Sequence, residues 1–123
     1  MKKRIVTAAI TGAIHSPTMS PYLPVTQQQI IDEILAVYEA GGAVCHIHVR
    51  EPETGFPVTD LDIFREVATK VRKECDIILC FTTGGPAGAS SEERVQTVTT
   101  FSPELASFNA GSVNFGLFPV LEK

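Results

Sequence analysis

The sequence lacks a basic stripe with interleaved aromatic residues, and this absence argues against nucleic-acid binding. Its formal net charge is −4, with 10 Lys and Arg against 14 Asp and Glu. It also lacks any apolar run of the roughly 18–20 residues that a membrane span requires. The basic start at Met1–Arg4 leads into an apolar stretch that polar residues and a glycine interrupt. We therefore expect neither a signal peptide nor a membrane anchor.

Cysteine is scarce, and its number is odd. Cys45, Cys75 and Cys80 lie in or beside predicted strands. Three cysteines cannot form the disulfide framework of a small secreted domain, so reduced thiols in a cytoplasmic protein are expected. What the chain does contain is an ordinary globular composition, with 44% hydrophobic and 20% charged residues in a length of 123. That length suits one small domain.

The run Ala43–Arg50 carries two histidines one residue apart and ends at the turn sequence Glu51–Gly55. Its strand-forming residues predict a short buried strand. Side chains alternate along a strand, so His46 and His48 project to the same side, with backbones roughly 6–7 Å apart. The neighbouring side chains point the other way, into the packing: Cys45, Ile47 and Val49. Two imidazoles so placed can converge on one metal ion. The alternative is a pair of hydrogen-bonded core histidines.

Strands and helices alternate along the rest of the chain. Strands are predicted at 4–11, 43–50, 77–81 and 105–109, and the first and third are apolar on both faces, as in a buried parallel sheet. Capping boxes at Thr26 and Ser90 open two helices, and a third begins near Asp60. Gly41 is placed to end the first helix. A Gly-rich polar loop is predicted at 110–116.

Four βα steps of roughly 30–40 residues fit either a (β/α)₈ TIM barrel or an open doubly wound α/β sheet. Four strands cannot close such a barrel. Residues 1–123 therefore form either an open four-stranded sheet or the N-terminal half of a single barrel domain. We favour the half barrel, because an unfinished sheet would expose a long apolar edge.

Polar residues collect where the predicted strands end, and the carboxyl ends of parallel strands form the ligand site in both candidate folds. The turn made of Thr82, Thr83, Gly84 and Gly85 is either a plain tight turn or an anion cradle of backbone N–H groups and hydroxyls. Ser107 and Asn109 alternate onto one face of the fourth strand. They either meet a ligand there or bond to a neighbouring strand.

Other polar residues near these ends remain ambiguous. Arg50 either clamps an anion or serves a structural role by pairing with Glu51 or Asp62, and we favour the structural role. His15 lies in a proline-rich loop, where we expect a solvated side chain rather than a third ligand or a general acid or base. A catalytic zinc site commonly has three protein ligands. No Asp or Glu is obviously placed as the third, and no thiol nucleophile is indicated.

These motifs resemble, in order and spacing, those of the β-keto acid cleavage enzyme family (BKACE), which includes the 3-keto-5-aminohexanoate cleavage enzymes. The resemblance covers essentially the whole chain and rests on six segments: Ile10–Ala13, Ser20–Thr26, Glu39–Gly41, His46–Arg50, Thr82–Gly85 and Phe108–Gly116. It implies a (β/α)₈ TIM barrel of more than twice this length. Residues 1–123 would form about its first four βα units.

The resemblance also implies an activity, the condensation of a β-keto acid with acetyl-CoA to give acetoacetate and a new acyl-CoA. His46 and His48 match the family's zinc-binding histidines. Thr82, Gly85 and Ser107 match positions that hold the carboxylate and keto end of the substrate. The third zinc ligand, a Glu, and a catalytic Asp that acts as the base are expected beyond residue 123.

One position departs from the family members that act on the aminated hexanoate. They carry a Glu where this chain has Ile14, so we expect a β-keto acid that is neutral or apolar at its far end. The resemblance further implies a homo-oligomer, often a tetramer. Two other hypotheses stay open. One is a metal-dependent barrel hydrolase, which would need no CoA thioester, and the other is an inactive truncated scaffold if the natural chain ends at Lys123.

Overall fold

The computed structural model describes residues 2–85 and 89–110, in which strands and helices alternate. The strands are β1 (Thr7–Ala9), β2 (Val44–Ile47), β3 (Val49–Arg50), β4 (Pro57–Val58), β5 (Ile78–Phe81) and β6 (Leu105–Ala106). The helices are α1 (Gln27–Glu39), α2 (Leu61–Glu74) and α3 (Ser91–Phe101). In this part of the chain no helix combines the length and the apolar character needed to cross a bilayer.

Four strands form one parallel sheet in the order β1-β2-β5-β6. Strands that are neighbours in this sheet also follow one another along the chain, with a helix between each pair. His46 lies between Ala9 on one side and Cys80 on the other. The prediction of an α/β fold with a parallel sheet is confirmed.

The helix boundaries follow the local signals in the sequence. The Oγ1 atom of Thr26 accepts from the backbone N–H of Gln29 at 3.3 Å, and Oε1 of Gln29 accepts from the N–H of Thr26 at 3.0 Å. Ser90 caps α3 in the same reciprocal way, and Asp60 caps α2. Gly41 adopts φ +89° just after α1, a conformation that glycine reaches without strain. These predicted caps are confirmed.

The hydrophobic core lies between one face of the sheet and the helices. Alternate residues of β2 and β5 point into it and are almost fully buried: Cys45, Ile47, Leu79 and Phe81. They meet the buried stripes of α1 and α2, made of Ile30, Ile31, Ile34, Phe64, Val67, Ala68 and Val71. The ring of Phe81 lies 5.2 Å from that of Phe64 and 5.6 Å from that of Phe101, measured between centroids. The histidines of the second predicted strand are thereby left on the opposite face.

The first strand is shorter and more exposed than predicted. Only Thr7–Ala9 pair with β2, and the Ile5 and Val6 side chains are 80% and 58% exposed. The prediction of a strand buried on both faces is therefore wrong for the described residues. β1 lies at an edge of this sheet and bonds to β2 alone within it. Its apolar side chains therefore lack the neighbours that would bury them in a strand paired on both sides.

The second predicted strand is divided in two. Parallel pairing with β5 stops at Ile47, and β3 then pairs antiparallel with β4 across the turn at Glu51–Gly55. The sequence did not predict β4, which is only two residues long. The strand predicted at 105–109 corresponds to β6, which ends at Ala106 rather than Asn109. Most of the loop predicted at 110–116 lies outside the described residues.

Candidate functional site

His46 and His48 meet at the carboxyl edge of the sheet. Their Nε2 atoms are 3.1 Å apart, and their rings are nearly perpendicular with centroids 4.9 Å apart. The predicted alternation is confirmed, since Cys45, Ile47 and Val49 are fully buried on the other side. Two nitrogens bound to one tetrahedral zinc ion at about 2.0–2.1 Å are separated by roughly 3.3 Å. The spacing of the two Nε2 atoms is therefore close to what two ligands of a single metal ion need.

The neighbouring strand fixes the ring of His46. Its Nδ1 atom lies 3.1 Å from the backbone oxygen of Cys80. A carbonyl oxygen can only accept a hydrogen bond, so Nδ1 carries the proton and Nε2 of the neutral ring presents a lone pair. A carbonyl in this role orients metal-binding histidines in many proteins. His46 is thus held in the tautomer that a metal ligand requires.

The backbone of His48 is held by the end of the first strand. The hydroxyl of Thr11 accepts from the N–H of His48 and donates to its carbonyl, both at 3.2 Å. Thr11 itself is 3% exposed. This two-way bond fixes the point where the parallel sheet gives way to the β3–β4 hairpin. It therefore sets the position from which the His48 ring reaches toward His46.

Both imidazoles are neutral at physiological pH. Burial lowers the pKa of His46 from its ordinary value, although the bond to the Cys80 carbonyl opposes this effect. Burial also lowers the pKa of His48 to about 4, with smaller contributions from the nearby charges of His46 and Arg50. Neutral imidazole is the form that binds metal ions.

A complete metal site is not formed by the described residues. No group of three or more His, Cys, Asp and Glu side chains able to hold a metal ion occurs within 2–85 and 89–110. The carboxylate of Glu51, nearest in sequence, instead accepts hydrogen bonds from Glu53 and Thr54 in its own turn. His15 is exposed in its loop, as expected.

The Thr82–Gly85 turn lies directly beside the histidine pair. A Cβ atom added to Gly84 would lie 3.7 Å from Cε1 of His48 and 3.1 Å from Oγ1 of Thr82. Gly85 has φ +55°, which favours glycine. The structure thus brings together two segments that are 34 residues apart in the sequence.

The backbone N–H groups of this turn are largely engaged. The amide of Thr82 donates to Ile47, that of Thr83 to Oγ of Ser107, and that of Gly84 to Oγ1 of Thr82. These three amides cannot also form the predicted anion cradle. The Thr82 hydroxyl accepts one of these bonds and keeps its proton for a ligand.

Ser107 joins the turn to the end of β6. Its Oγ accepts from the N–H of Thr83 at 2.9 Å, and its carbonyl accepts from the Thr83 hydroxyl at 2.9 Å. The alternative interpretation, bonding to a neighbouring strand, is therefore realised. Because the Thr83 hydroxyl gives its proton to the Ser107 carbonyl, the 3.2 Å contact between the two hydroxyl oxygens uses the proton of Ser107. Asn109 is exposed and lies beyond β6, so the prediction that it alternates with Ser107 along a strand is wrong.

Arg50 is fully buried and has a structural role. Its guanidinium donates to the carbonyls of Thr11, Gly12 and Gly55, at 3.1, 2.9 and 2.6 Å. The predicted pairing with Glu51 or Asp62 is wrong, since Glu51 binds its own turn and Asp62 pairs with Arg65. Sequence reasoning also missed Thr11 as a contact of His48. An isolated threonine at a strand end gives no signal of such a partner.

A small cleft opens beside the histidine pair, and its lining residues come from four segments: Ala13, His48, Pro57, Val58, Thr59, Thr82 and Gly85. Ile14 follows Ala13 and is 56% exposed. Cys45 has no access to this side of the sheet, and burial raises the pKa of its thiol to about 12. Cys80 is in register with His46 and alternates with two core residues of β5, so it lies on the histidine face, where burial raises the pKa of its thiol. All three cysteines are free.

Fold and site together define an α/β protein with a pair of neutral histidines at the carboxyl edge of a parallel sheet and a small cleft that one of them, His48, helps to line. The family model described as BKACE, beta-keto acid cleavage enzyme, matches residues 3–122, and the chain belongs to this family. The resemblance seen in the sequence motifs is confirmed.

Three relatives show the range of this family. A 3,5-dioxohexanoate:acetyl-CoA acetone transferase of Paraburkholderia graminis is 48% identical over 122 residues, which make up 99% of this chain and 39% of that protein. A 3-keto-5-aminohexanoate cleavage enzyme of Fusobacterium nucleatum is 39% identical, with 94% and 42% covered. A 3-dehydrocarnitine:acetyl-CoA trimethylamine transferase of Rhizobium meliloti is 35% identical, with 91% and 44% covered. The chain spans about two fifths of the length of these curated relatives.

Proposed function

We propose that this chain is the N-terminal part of an enzyme that transfers an acyl group between a β-keto acid and acetyl-CoA. The observation that carries the proposal is the His46–His48 pair, with Nε2 atoms 3.1 Å apart beside the Thr82–Gly85 turn, in a member of this family. The reaction forms acetoacetate and a new acyl-CoA. Relatives named as acetyl-CoA transferases support this assignment.

We also propose a (β/α)₈ barrel, of which residues 1–123 supply about four βα units. Two features support it. The strand order β1-β2-β5-β6 follows the chain without the reversal that marks a doubly wound sheet. The core helices α1 and α2 pack on one face of the sheet, as helices do on the outside of a barrel. The greater length of the relatives leaves room for the remaining units.

His46 and His48 would hold a zinc ion, and their donor set fits one. Both are neutral, their Nε2 atoms converge, and the Cys80 carbonyl fixes the tautomer of His46. Zinc at this place would supply Lewis acidity to the keto oxygen of the substrate. A third ligand and the carboxylate base are proposed to come from residues beyond 123.

The turn beside the histidines would orient the substrate. The hydroxyl of Thr82 retains a proton that can be donated to the carboxylate or keto oxygen of a small acid, while Ser107 holds the turn through Thr83. Gly84 lets the turn lie against the ring of His48, since a Cβ there would be 3.7 Å from Cε1 of His48 and 3.1 Å from Oγ1 of Thr82. Holding the acid by one end places its C2 carbon in a fixed position for deprotonation.

The bond changes then balance. The C2 carbanion of the β-keto acid attacks the thioester carbon of acetyl-CoA and releases CoA thiolate. The thiolate attacks the original keto carbon, and cleavage of the bond between that carbon and C2 releases the new acyl-CoA. The C2 carbanion left behind takes back the proton that the base removed and becomes acetoacetate. No thiol of the described residues is needed, in agreement with the burial of Cys45.

The substrate is proposed to be uncharged at its far end. Ile14 has no charge to pair with an ammonium group, and it lies next to the cleft residue Ala13. The relative that is 48% identical is named for 3,5-dioxohexanoate, whose far end is a neutral ketone. We also propose that the protein forms a homo-oligomer, of the tetrameric kind expected from the family resemblance.

The test is a product assay on the natural full-length protein that contains this sequence. With 3,5-dioxohexanoate and acetyl-CoA we expect equal amounts of acetoacetate and a new acyl-CoA, and no turnover when acetyl-CoA is left out. Turnover without the thioester would support a barrel hydrolase instead. Absence of any turnover with a panel of neutral and charged β-keto acids would contradict the transferase assignment.

A further inference from the structure

Arg50 joins two backbone segments by hydrogen bonds from its guanidinium. Its Nη2 atom donates to the consecutive carbonyls of Thr11 and Gly12 at the end of the first strand. Its Nη1 atom donates to Gly55 in the turn between β3 and β4. All three bonds lie in the protein interior, where the side chain has no solvent exposure. The guanidinium therefore works as a rigid fork between two backbone loops.

Residues that directly follow these two segments line the cleft beside His48 and form two of its walls. Ala13 stands directly after the Arg50-bound carbonyls, on one wall. Residues 57–59 form the other wall, and they directly follow the hairpin turn that Arg50 holds. His48, Thr82 and Gly85 complete the lining. Arg50 thus ties the segments that precede the two walls to each other by hydrogen bonds.

The hairpin turn also meets the proline-rich loop. Gly55 has φ +74°, and a Cβ built on it would lie 2.5 Å from Cγ of Pro17 and 3.5 Å from Cγ2 of Val25. The turn is therefore tightly packed on its outer side while Arg50 holds its carbonyl from within. A change at either contact would move the wall formed by residues 57–59.

Arg50 is not placed to bind the substrate itself. Both terminal nitrogens are directed to backbone carbonyls, and the side chain is 0% exposed. Within 2–85 and 89–110 no carboxylate pairs with it. The carbonyl dipoles of Thr11, Gly12 and Gly55 stabilise the positive charge of its guanidinium. A buried guanidinium used in this way serves geometry rather than anion recognition.

We propose that Arg50 is a positioning residue that holds the two walls of the cleft at the separation required by the β-keto acid. That Arg50 holds the two walls is a proposal about the structure alone. That their separation suits a β-keto acid rests on the transferase function proposed above. Lysine keeps the positive charge but has one compact ammonium group, which cannot reproduce the planar fork. The Arg50→Lys variant therefore separates charge from geometry.

The experiment compares the natural full-length protein with Arg50→Lys and Arg50→Met, by peptide-level hydrogen exchange and steady-state kinetics. We expect exchange to rise at least tenfold in both segments 9–14 and 51–57. The KM for the β-keto acid should rise tenfold or more, with a smaller change in kcat, and Arg50→Met should be affected more than Arg50→Lys. Arg65→Lys is the matched control, because Arg65 is an exposed partner of Asp62 on α2. It should leave both quantities unchanged.

Unchanged exchange in either segment of folded Arg50→Lys would overturn the proposal, as would an unchanged KM. If the Arg50 variants fail to fold, Gly55→Ala moves one wall by strain while Arg50 remains. Exchange should then rise in both segments because Arg50 couples them, and a rise confined to 51–57 would overturn the coupling. If the unmodified protein shows no transferase activity, the proposed function fails, and hydrogen exchange alone still decides the role of Arg50.

Discussion

The Nε2 atom of His46 lies 3.1 Å from Nε2 of His48, while Nδ1 of His46 is bonded to the carbonyl of Cys80. The hydrogen bond between His46 and the Cys80 carbonyl explains why Nε2 of His46 faces Nε2 of His48. Because Nδ1 keeps its proton and donates it in the hydrogen bond to the Cys80 carbonyl, Nε2 carries the lone pair of the neutral His46 ring, which is directed at His48. The position between the two nitrogens is where a cation would replace the proton that they share.

Removal of one imidazole should abolish metal binding. We expect His46→Ala in the natural full-length protein to lower zinc affinity by at least about 100-fold, since loss of a ligand exceeds loss of an outer partner. Cys45→Ala is the control on the opposite face of the same strand, and it should retain zinc. Mass spectrometry after dialysis measures the zinc content of both variants. Equal zinc in His46→Ala and the unmodified protein would rule out the metal assignment.

Acidification should destabilise the metal-free protein through His48. Its pKa is about 4 in the folded state, below the ordinary value of 6.5. Between these values the unfolded chain binds a proton that the folded protein does not, so the free energy of unfolding falls as pH decreases through this window. The loss is on the order of 2 kcal/mol after allowance for partial exposure.

Urea unfolding with a chelator at about pH 7 and about pH 5 measures this loss. The His48→Gln variant lacks the titrating group, so its stability should change less between the two conditions. Identical changes in both proteins would show that His48 does not contribute to the pH dependence.

Ser107→Ala should affect both stability and substrate binding. The variant leaves the backbone N–H of Thr83 without its acceptor, which costs roughly 1–3 kcal/mol for a buried donor. We also expect a higher KM for the β-keto acid, because the turn at 82–85 loses the hydrogen bonds of the Ser107 hydroxyl and keeps only the bond from Thr83 to the backbone carbonyl of residue 107. Ser16→Ala is the control, since its hydroxyl bonds only to the exposed Thr18 side chain. Denaturant unfolding and steady-state kinetics would each detect the difference.

Ile14→Glu should alter substrate preference. A carboxylate at this position could pair with a substrate ammonium, so kcat/KM for 3-keto-5-aminohexanoate should rise relative to that for 3,5-dioxohexanoate. A tenfold change in this ratio corresponds to about 1.4 kcal/mol. Ile14→Gln has a similar size without the charge and should change the ratio less. A ratio that stays constant in both variants would place Ile14 away from the far end of the substrate.

Cys45 should resist alkylation in the folded protein. Burial raises the pKa of its thiol to about 12, so almost no thiolate forms near pH 8. Cys75 is only partly buried and should react first. Iodoacetamide labelling followed by peptide mass spectrometry, with and without denaturant, checks the order. Labelling of native Cys45 at the rate seen in denaturant would contradict the packing described here.

Much of the fold could be predicted because its signals are local. The capping boxes at Thr26 and Ser90, and the apolar stripe of α2, are set by residues three or four positions apart. The alternation that places His46 and His48 on one face has a period of two. The two-residue strand β4 and the early end of β6 were missed, since so few residues leave no periodic pattern.

The sequence by itself determined the α/β class, the helix boundaries and the shared face of the two histidines, because each depends on the geometry of a short segment. Only the tertiary structure decided that Arg50 binds three backbone carbonyls, that Thr11 holds His48, and that Gly84 lies against it. Those contacts join residues 36–39 positions apart, except for the bond from Arg50 to Gly55, which closes the turn between β3 and β4. These contacts depend on which strands become neighbours in the sheet, and a local sequence pattern does not specify that pairing.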